Sequence, residues 1–259
     1  MKPFILIFFL SSCSFPVFKS KKQDIVLFKI ENYEAISKQD YVEHLNYLGS
    51  AYLKGDEVNI IKISKGSEYY LNSIVRKIIA RNELFYDQDI ESEIIIINYP
   101  MPFHFSLPGR KIILSSTLVN KYLKHEGLLA SIISYELVRS DKLIYRKEIT
   151  IPTGYVSTKK ILRLLRVPLN SKLQVHKWAF HTLKRAGYDY DHYLGWIQIQ
   201  NRNNYDFSLQ LGELPSIARE EALFKSFLIK NATGQNKDKR KINSSKSFYK
   251  FIKEISRNT

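Results

Sequence analysis

The dipeptide His-Glu occurs once in the sequence, at His125 and Glu126, and it raises the question of metal chemistry. Zinc peptidases hold their metal with two histidines one helical turn apart, and a glutamate that follows the first histidine activates a water molecule. The second histidine would have to stand four residues after His125, where the chain has Leu129. Only one imidazole is available there, so this pair of residues does not form a zinc motif.

The single cysteine, Cys13, ends a segment that is typical of an export signal. Lys2 is followed by an apolar run at residues 4–10 and then by Ser11-Ser12-Cys13, which resembles a bacterial lipobox. The run is much shorter than the roughly 20 residues that span a bilayer. We expect cleavage before Cys13 and acylation of its thiol, which would anchor the chain to a lipid bilayer. The alternative is a secreted protein with a cysteine near its cleavage site by chance.

Composition permits one sizeable core and leaves several partners open. The chain has 259 residues, of which 44% are hydrophobic, and a formal net charge of +15. This charge favours an anionic partner such as acidic lipid or an envelope polymer, although a lysine-rich composition alone also produces it. The sequence contains no RNP-type motif and no Cys/His finger, and it begins with an export signal. We therefore expect no nucleic-acid partner.

Hydrophobic spacing predicts helices along most of the chain. They are expected at residues 41–52, 68–83, 116–124, 126–145, 171–186 and 191–203. Runs of β-branched residues predict strands at 92–99 and 110–116, with a turn at Pro108-Gly109 between them, so these strands should be neighbours in one small sheet. Residues 24–30 also have the composition of a strand.

The last 30 residues differ in character from the rest. Residues 230–246 are polar and charged, which is typical of a linker. The residues Phe248, Phe251, Ile252 and Ile255 then follow helical spacing, with lysines between them. This amphipathic helix either lies on a membrane surface or packs on the body of the protein.

Three ordered segments resemble one enzyme family. The first is FHFSLPGRKIILSSTLVNKYLKHEGLLASIISYELVRS at residues 103–140, the second is SKLQVHKWAFHTLKRAGYDYDHYLGWIQI at 171–199, and the third is LPSIAREEALFKSFL at 214–228. In spacing and character they are similar to the core of the HtpX/BepA-type zinc metallopeptidases, peptidase family M forty-eight. They follow the family's order, and the resembling region extends over roughly residues 66–230. The resemblance implies a gluzincin fold and, as in other envelope members, a lipid anchor.

The resemblance places unusual residues at the zinc-ligand positions. The family's first zinc histidine falls on Tyr135, its catalytic glutamate on Glu136 and its second histidine on Arg139. The third ligand, a glutamate, falls on Lys172, and the aspartate one turn later falls on His176. Of these functional residues only the glutamate is retained.

These replacements do not suit zinc. The metal needs three protein donors with lone pairs at about 2.0–2.3 Å, and a guanidinium has none. Tyr135 could bind only as a phenolate, although the usual pKa of the phenol is about 10. Glu136 can instead pair with Arg139, three residues further along the same helix. One rearranged site stays open, in which His104, His176 and Glu136 hold the metal.

The sequence therefore predicts an α+β fold, a gluzincin-like metallopeptidase domain in which a small β-sheet packs on a helical bundle. Residues 1–12 are the expected lipoprotein signal peptide and 13–24 a lipidated tether. An N-terminal mixed segment at 25–65 precedes the metallopeptidase-like domain at 66–230. A basic linker and the amphipathic helix follow at 231–259. Ser14 rather than aspartate follows the cysteine, which by resemblance implies the outer membrane of a bacterial envelope, facing the periplasm.

The expected function is binding without a cofactor. The resemblance implies a cleft that holds an extended peptide along a sheet edge, and strand pairing needs no metal. We expect a pseudoprotease that binds or chaperones envelope proteins, with His104, Phe105, Ser106 and His176 as candidate peptide-binding residues. Two alternatives remain. One is an active zinc metalloendopeptidase in envelope protein quality control with rearranged ligands, and the other is a structural basic lipoprotein that binds acidic lipid or polymer.

Overall fold

The computed structural model describes residues 37–88, 90–145, 155–212, 214–231 and 244–259. Cys13 and the predicted strand at residues 24–30 lie outside these ranges, as do residues 232–243 of the predicted linker. None of the helices in the described ranges is long and apolar enough to cross a membrane.

The described residues form an α+β fold, as the sequence predicts. The helices are α1 (Lys38–Leu53), α2 (Lys65–Ala80), α3 (Glu126–Asp141), α4 (Thr158–Leu164), α5 (Leu169–Arg185), α6 (Asp191–Arg202), α7 (Asn204–Leu211), α8 (Leu214–Asn231) and α9 (Lys246–Arg257). The strands are β1 (Asn59–Ile61), β2 (Glu93–Asn98), β3 (His104–Leu107) and β4 (Lys111–Ser115). The helix predicted at residues 116–124 is a π-helix over Leu118–Tyr122.

The four strands form one mixed sheet in the order β1-β2-β4-β3. The prediction that β2 and β4 are neighbours is confirmed, and they pair in parallel with Glu93 opposite Lys111. β1 pairs with β2, and β3 with β4, both in antiparallel orientation. The turn predicted at Pro108-Gly109 between β2 and β4 instead joins β3 to β4. Gly109 has a φ of +74°, a left-handed conformation that glycine adopts without steric cost. This topology places β3 at an edge of the sheet.

Helices cover both faces of the sheet. Ile112 and Leu114 of β4 belong to a core shared with α2 and α3, whereas Ile113 between them belongs to a second core that includes Leu45 of α1 and Ile161 of α4. Successive side chains of a strand point to opposite faces. Burial on both faces explains why the parallel pair of strands is a near-continuous run of isoleucine rather than an alternating pattern.

Helix α3 passes through the core and positions the candidate site. Every residue from 127 to 140 is buried, and the helix packs on α5, α6 and β3. Its polar side chains must therefore find partners inside the protein. The predicted end at Tyr145 was wrong, because Leu143 takes a left-handed φ of +51° and the N–H of Ile144 donates to the carbonyl of Arg139 at 2.9 Å. These features form a Schellman-type C-cap that ends the helix at Asp141.

The amphipathic helix α9 packs on the body of the protein. Its apolar residues Phe248, Phe251 and Ile255 are buried in the main core, and the rings of Phe251 and Tyr70 lie 6.1 Å apart. Of the two arrangements that the sequence left open, the structure has the packed one. The apolar face of α9 is therefore not available to enter a lipid bilayer.

Candidate functional site

The carboxylate of Glu136 is buried and has partners on two elements. Its Oε1 lies 2.5 Å from Nδ1 of His104, and its Oε2 accepts a hydrogen bond from Ser106 Oγ at 2.7 Å. Nη1 of Arg139 lies 3.6 Å from the same Oε2, so the predicted ion pair is confirmed. Burial by itself raises the pKa of the Glu136 carboxyl, but the charge of Arg139 and the hydrogen bonds from His104 and Ser106 lower it below its usual value. The ionised form is therefore favoured.

Arg139 places a fixed positive charge in the interior. Its Nη2 donates a hydrogen bond to the backbone carbonyl of Leu165, and its guanidinium carbon lies 4.9 Å from the ring centroid of Tyr145. These contacts, together with the Glu136 pair, hold the guanidinium where the resemblance places a zinc ligand. Because a guanidinium has no lone pair to donate, this position cannot bind a metal ion.

A second buried carboxylate, Glu220 of α8, contacts the residues at the expected third-ligand position, Lys172, and at the aspartate position one turn later, His176. Its Oε1 lies 2.6 Å from Nε2 of His176, and its Oε2 accepts a hydrogen bond from Lys172 Nζ at 3.2 Å. The other nitrogen of His176 lies 2.9 Å from the hydroxyl of Tyr193. Burial opposes ionisation of Glu220, but the hydrogen bond from His176 and the charge of Lys172 lower its pKa to about 2.

Tyr135 lies between the two buried clusters. Its ring is edge-on to the imidazole of His104 at a centroid distance of 5.9 Å, and it lies 4.8 Å from the imidazole of His176. Burial raises the pKa of the Tyr135 phenol well above its usual range. The residue is therefore a neutral aromatic spacer between two histidines, and the phenolate that a metal would require is disfavoured.

The three expected ligand positions converge on one small cavity. Tyr135, Arg139 and Lys172 line it together with His104, His176 and Glu220. Its volume of about 30 Å³ is enough for roughly two water molecules. Residues that are up to 116 positions apart in the sequence thus meet at the place where the resemblance implies a metal centre.

A side chain from α7 makes hydrogen bonds with the backbone at the edge of β3. The backbone N–H of His104 donates to Oε1 of Gln210 at 3.0 Å, and Nε2 of Gln210 donates to the carbonyl of His104 at 2.7 Å. A side-chain amide thus makes the pair of bonds that a neighbouring strand would make. Arg166 fixes the end of α7 by donating to the carbonyls of Ser208 and Leu209 at 3.1 and 2.6 Å.

The candidate peptide-binding side chains are all buried. His104 is 2% exposed and His176 is 3% exposed, and Phe105 and Ser106 are less accessible still. A peptide that pairs with the backbone of β3 would have to displace Gln210 from His104. The residues of β3 are themselves at most 2% exposed, so its backbone edge is also covered in this structure.

The donor set does not fit the zinc centre that the resemblance implies. Within the part of the chain that the structure describes, no group of three or more His, Cys, Asp and Glu side chains is arranged to hold a metal ion. Of the rearranged set, His104 contacts Glu136, but His176 pairs with Glu220 on the far side of the Tyr135 ring.

The His-Glu dipeptide has a structural use at the start of α3. The ring of His125 stacks on His192 at 5.6 Å, and the carboxylate of Glu126 accepts a hydrogen bond from the N–H of Ser245 at 2.7 Å. Glu126 thereby joins the start of α3 to the start of α9.

Glu220 is the principal site residue that sequence reasoning missed. A local signal was present, because Glu220 follows Ile217 by three residues and precedes Phe224 by four, and both apolar side chains are buried. A carboxylate on the apolar face of an amphipathic helix needs a buried partner. Gln210 gave no such signal, since its partner is the backbone of a strand 106 residues away.

Comparison with known proteins identifies no family. No protein-family model matches the chain, and no curated protein matches it. The relationship to the zinc metallopeptidases therefore stays a prediction from the sequence.

Proposed function

We propose that this protein is a catalytically inactive relative of the HtpX/BepA-type zinc metallopeptidases that binds extended segments of envelope proteins. In this proposal the acylated Cys13 holds it at the bacterial envelope, on the periplasmic side of the outer membrane. The expected gluzincin-like fold supplies a binding edge, and the zinc site has been replaced by buried polar clusters.

The observation that carries the proposal is the convergence of Tyr135, Arg139 and Lys172 on one cavity. Independent surface replacements would have no reason to meet at a single point. Each of the three is matched by a local partner: the two imidazoles for Tyr135, Glu136 for Arg139 and Glu220 for Lys172. Paired replacements of this kind retain a well-packed core while they remove every metal donor at those positions.

Binding of an extended peptide is supported by the edge position of β3. The bonds between Gln210 and the His104 backbone have the donor and acceptor pattern of strand addition. A peptide strand that displaces Gln210 would satisfy the same two groups and could continue along β3. The interaction depends on backbone groups, so it would tolerate many peptide sequences, as a chaperone requires.

The test is binding of fluorescein-labelled β-casein, which has little fixed structure, measured by fluorescence anisotropy. The wild-type protein should bind it, and Gln210→Ala should bind roughly ten-fold more tightly, because two competing internal hydrogen bonds of about 1 kcal/mol or less each are removed. The matched control is Gln198→Ala on α6, whose amide contacts Glu221 instead of the sheet edge and which should leave binding unchanged.

Each other outcome decides against the proposal. Absence of casein binding by both the wild type and Gln210→Ala would overturn it. Equal changes in Gln210→Ala and Gln198→Ala would show that the edge of β3 is not the binding site. Cleavage of casein that a chelator abolishes would instead support the active metalloendopeptidase.

A further inference from the structure

The exposed face of α9 carries a continuous row of positive charge. Lys246, Lys250, Lys253 and Arg257 follow one another at steps of four, three and four residues, and all are exposed. Residues at these steps lie on one face of a helix. At 1.5 Å per residue, this α9 basic row extends over about 16 Å.

Neighbouring carboxylates do not neutralise the row. In the described ranges, no carboxylate oxygen lies within 4.0 Å of a side-chain nitrogen of these four residues. Glu254 is the only acidic residue of α9. Its carboxylate faces α2 instead, where it accepts hydrogen bonds from the N–H of Ser64 at 2.5 Å and from the Ser64 hydroxyl at 2.8 Å. The negative charge of Glu254 therefore stabilises the N-terminus of α2.

The row borders a surface depression of suitable size for phosphate groups. Lys250, Lys253 and Arg257 line it with Glu254 and Asn258, and its volume is about 460 Å³. Tyr249, which is 56% exposed, lies beside the row, three residues after Lys246 and four before Lys253. Lysine and arginine form charge-assisted hydrogen bonds with phosphate oxygens, and tyrosine is enriched at membrane–water interfaces.

We propose that the α9 basic row binds the anionic phospholipid headgroups of a bilayer. A straight row of cations with an adjacent tyrosine complements a flat anionic surface, and the buried apolar face of α9 excludes insertion of this helix. Each lysine or arginine near such a surface tightens binding about five-fold, and salt weakens the attraction. The proposal does not require the peptide-binding function, and the predicted anchor at Cys13 would bring the row close to a membrane.

The test is sedimentation with vesicles of phosphatidylglycerol and phosphatidylcholine, with pure phosphatidylcholine vesicles as the neutral reference. All forms are the mature chain from residue 13 with Cys13→Ser, so that neither the apolar signal segment nor acylation contributes. The row variant carries Lys246→Gln, Lys250→Gln, Lys253→Gln and Arg257→Gln. The control carries Lys38→Gln, Lys54→Gln, Arg219→Gln and Lys230→Gln, which remove the same charge from exposed positions elsewhere.

The row variant should bind anionic vesicles at least about ten-fold more weakly, whereas the control should change by less than about two-fold. Far-UV circular dichroism verifies that both variants are folded. Equal weakening of the two variants would show that the total charge matters and would overturn the proposal. So would anionic-vesicle binding by the Cys13→Ser parent chain that does not fall as salt is raised. If the row variant lost binding to a DNA oligonucleotide but bound vesicles as the parent chain does, the row would be a nucleic-acid site and the proposal would be overturned.

Discussion

An oxygen of Glu136 lies 2.5 Å from Nδ1 of His104, where α3 meets the edge strand β3 in the core. In the metallopeptidases that the sequence resembles, the corresponding glutamate activates a metal-bound water molecule. Here its two oxygens are engaged by His104, Ser106 and Arg139 of the same chain. The glutamate thus has a structural role that does not need a metal.

Removing the charge of Glu136 should destabilise the protein strongly. Glu136→Gln leaves the Arg139 guanidinium buried without its counter-charge, and we expect a loss of about 3 kcal/mol in the free energy of unfolding. Urea denaturation at neutral pH measures it. The control, Glu43→Gln on the exposed face of α1, should change this free energy by less than about 0.5 kcal/mol.

A double variant separates charge pairing from simple loss of packing. Adding Arg139→Met to Glu136→Gln removes the unpaired cation and should recover at least half of the lost stability. A double variant less stable than Glu136→Gln would mean that Arg139 matters mainly through its contacts with Leu165 and Tyr145.

The Glu220 cluster should make stability depend on acid pH. The pKa of Glu220 in the folded protein is about 2, against an ordinary value of 4.5. A lowered pKa in the folded state means that this contribution is fully present above about pH 4.5 and is lost as the pH falls through about 2. A shift of this size corresponds to about 3 kcal/mol. At neutral pH the free energy of unfolding of the wild type should therefore exceed that of Glu220→Gln by about this amount.

The measurement is urea denaturation of both proteins at a series of pH values. The difference in free energy of unfolding between them should shrink as the pH falls from 4.5 towards 2. A difference that stays constant over this interval would contradict the ionised Glu220 cluster.

Restoring the donors should restore a metal site. Tyr135→His with Arg139→His and Lys172→Glu supplies three zinc donors at positions that line the same cavity. We expect this triple variant to bind one zinc ion per chain, detected by elemental mass spectrometry after dialysis. The control replaces the same residues by Phe, Met and Met and should bind none. A folded triple variant without zinc would refute the gluzincin-like arrangement of α3 and α5.

Cys13 should carry the lipid anchor. Cells that express the wild-type chain should incorporate labelled palmitate into it, and Cys13→Ser should abolish the label because serine cannot form the thioether. Ser14→Ala, next to the cysteine, is the control and should retain the label. Persistent labelling of Cys13→Ser would exclude the lipobox interpretation.

Local signals in the sequence predicted most elements but not β1, α4 and α7, which have only three to eight residues each. The predicted ends of two helices differ in accuracy for a physical reason. The end of α5 was predictable, because a glycine, Gly187, directly follows the helix. In the structure Gly187 takes a φ of +73°, and the N–H of Tyr188 donates to the carbonyl of Leu183 at 3.3 Å. The same type of cap ends α3, but there Leu143 occupies the left-handed position. Leucine is rare in this conformation, so nothing in the sequence marked the end of that helix.

The site was predictable only in part. The positions of Tyr135, Glu136 and Arg139 on one helix, and the pairing of the last two, followed from spacing and resemblance. The partner of Lys172, which is Glu220, and the partner of the β3 edge, which is Gln210, could not be predicted. Both lie on helices whose placement depends on tertiary packing. Local sequence patterns give the face of a helix, but they do not give the helix against which that face packs.

The zinc content of the purified wild-type chain, measured by elemental mass spectrometry after dialysis against trace zinc, shows whether the buried clusters have replaced a metal site. We expect no stoichiometric zinc, since Tyr135, Arg139 and Lys172 cannot serve as its ligands under ordinary conditions. One zinc ion per chain that is lost on substitution of Glu136 or His176 would contradict this expectation and would establish a rearranged metal site.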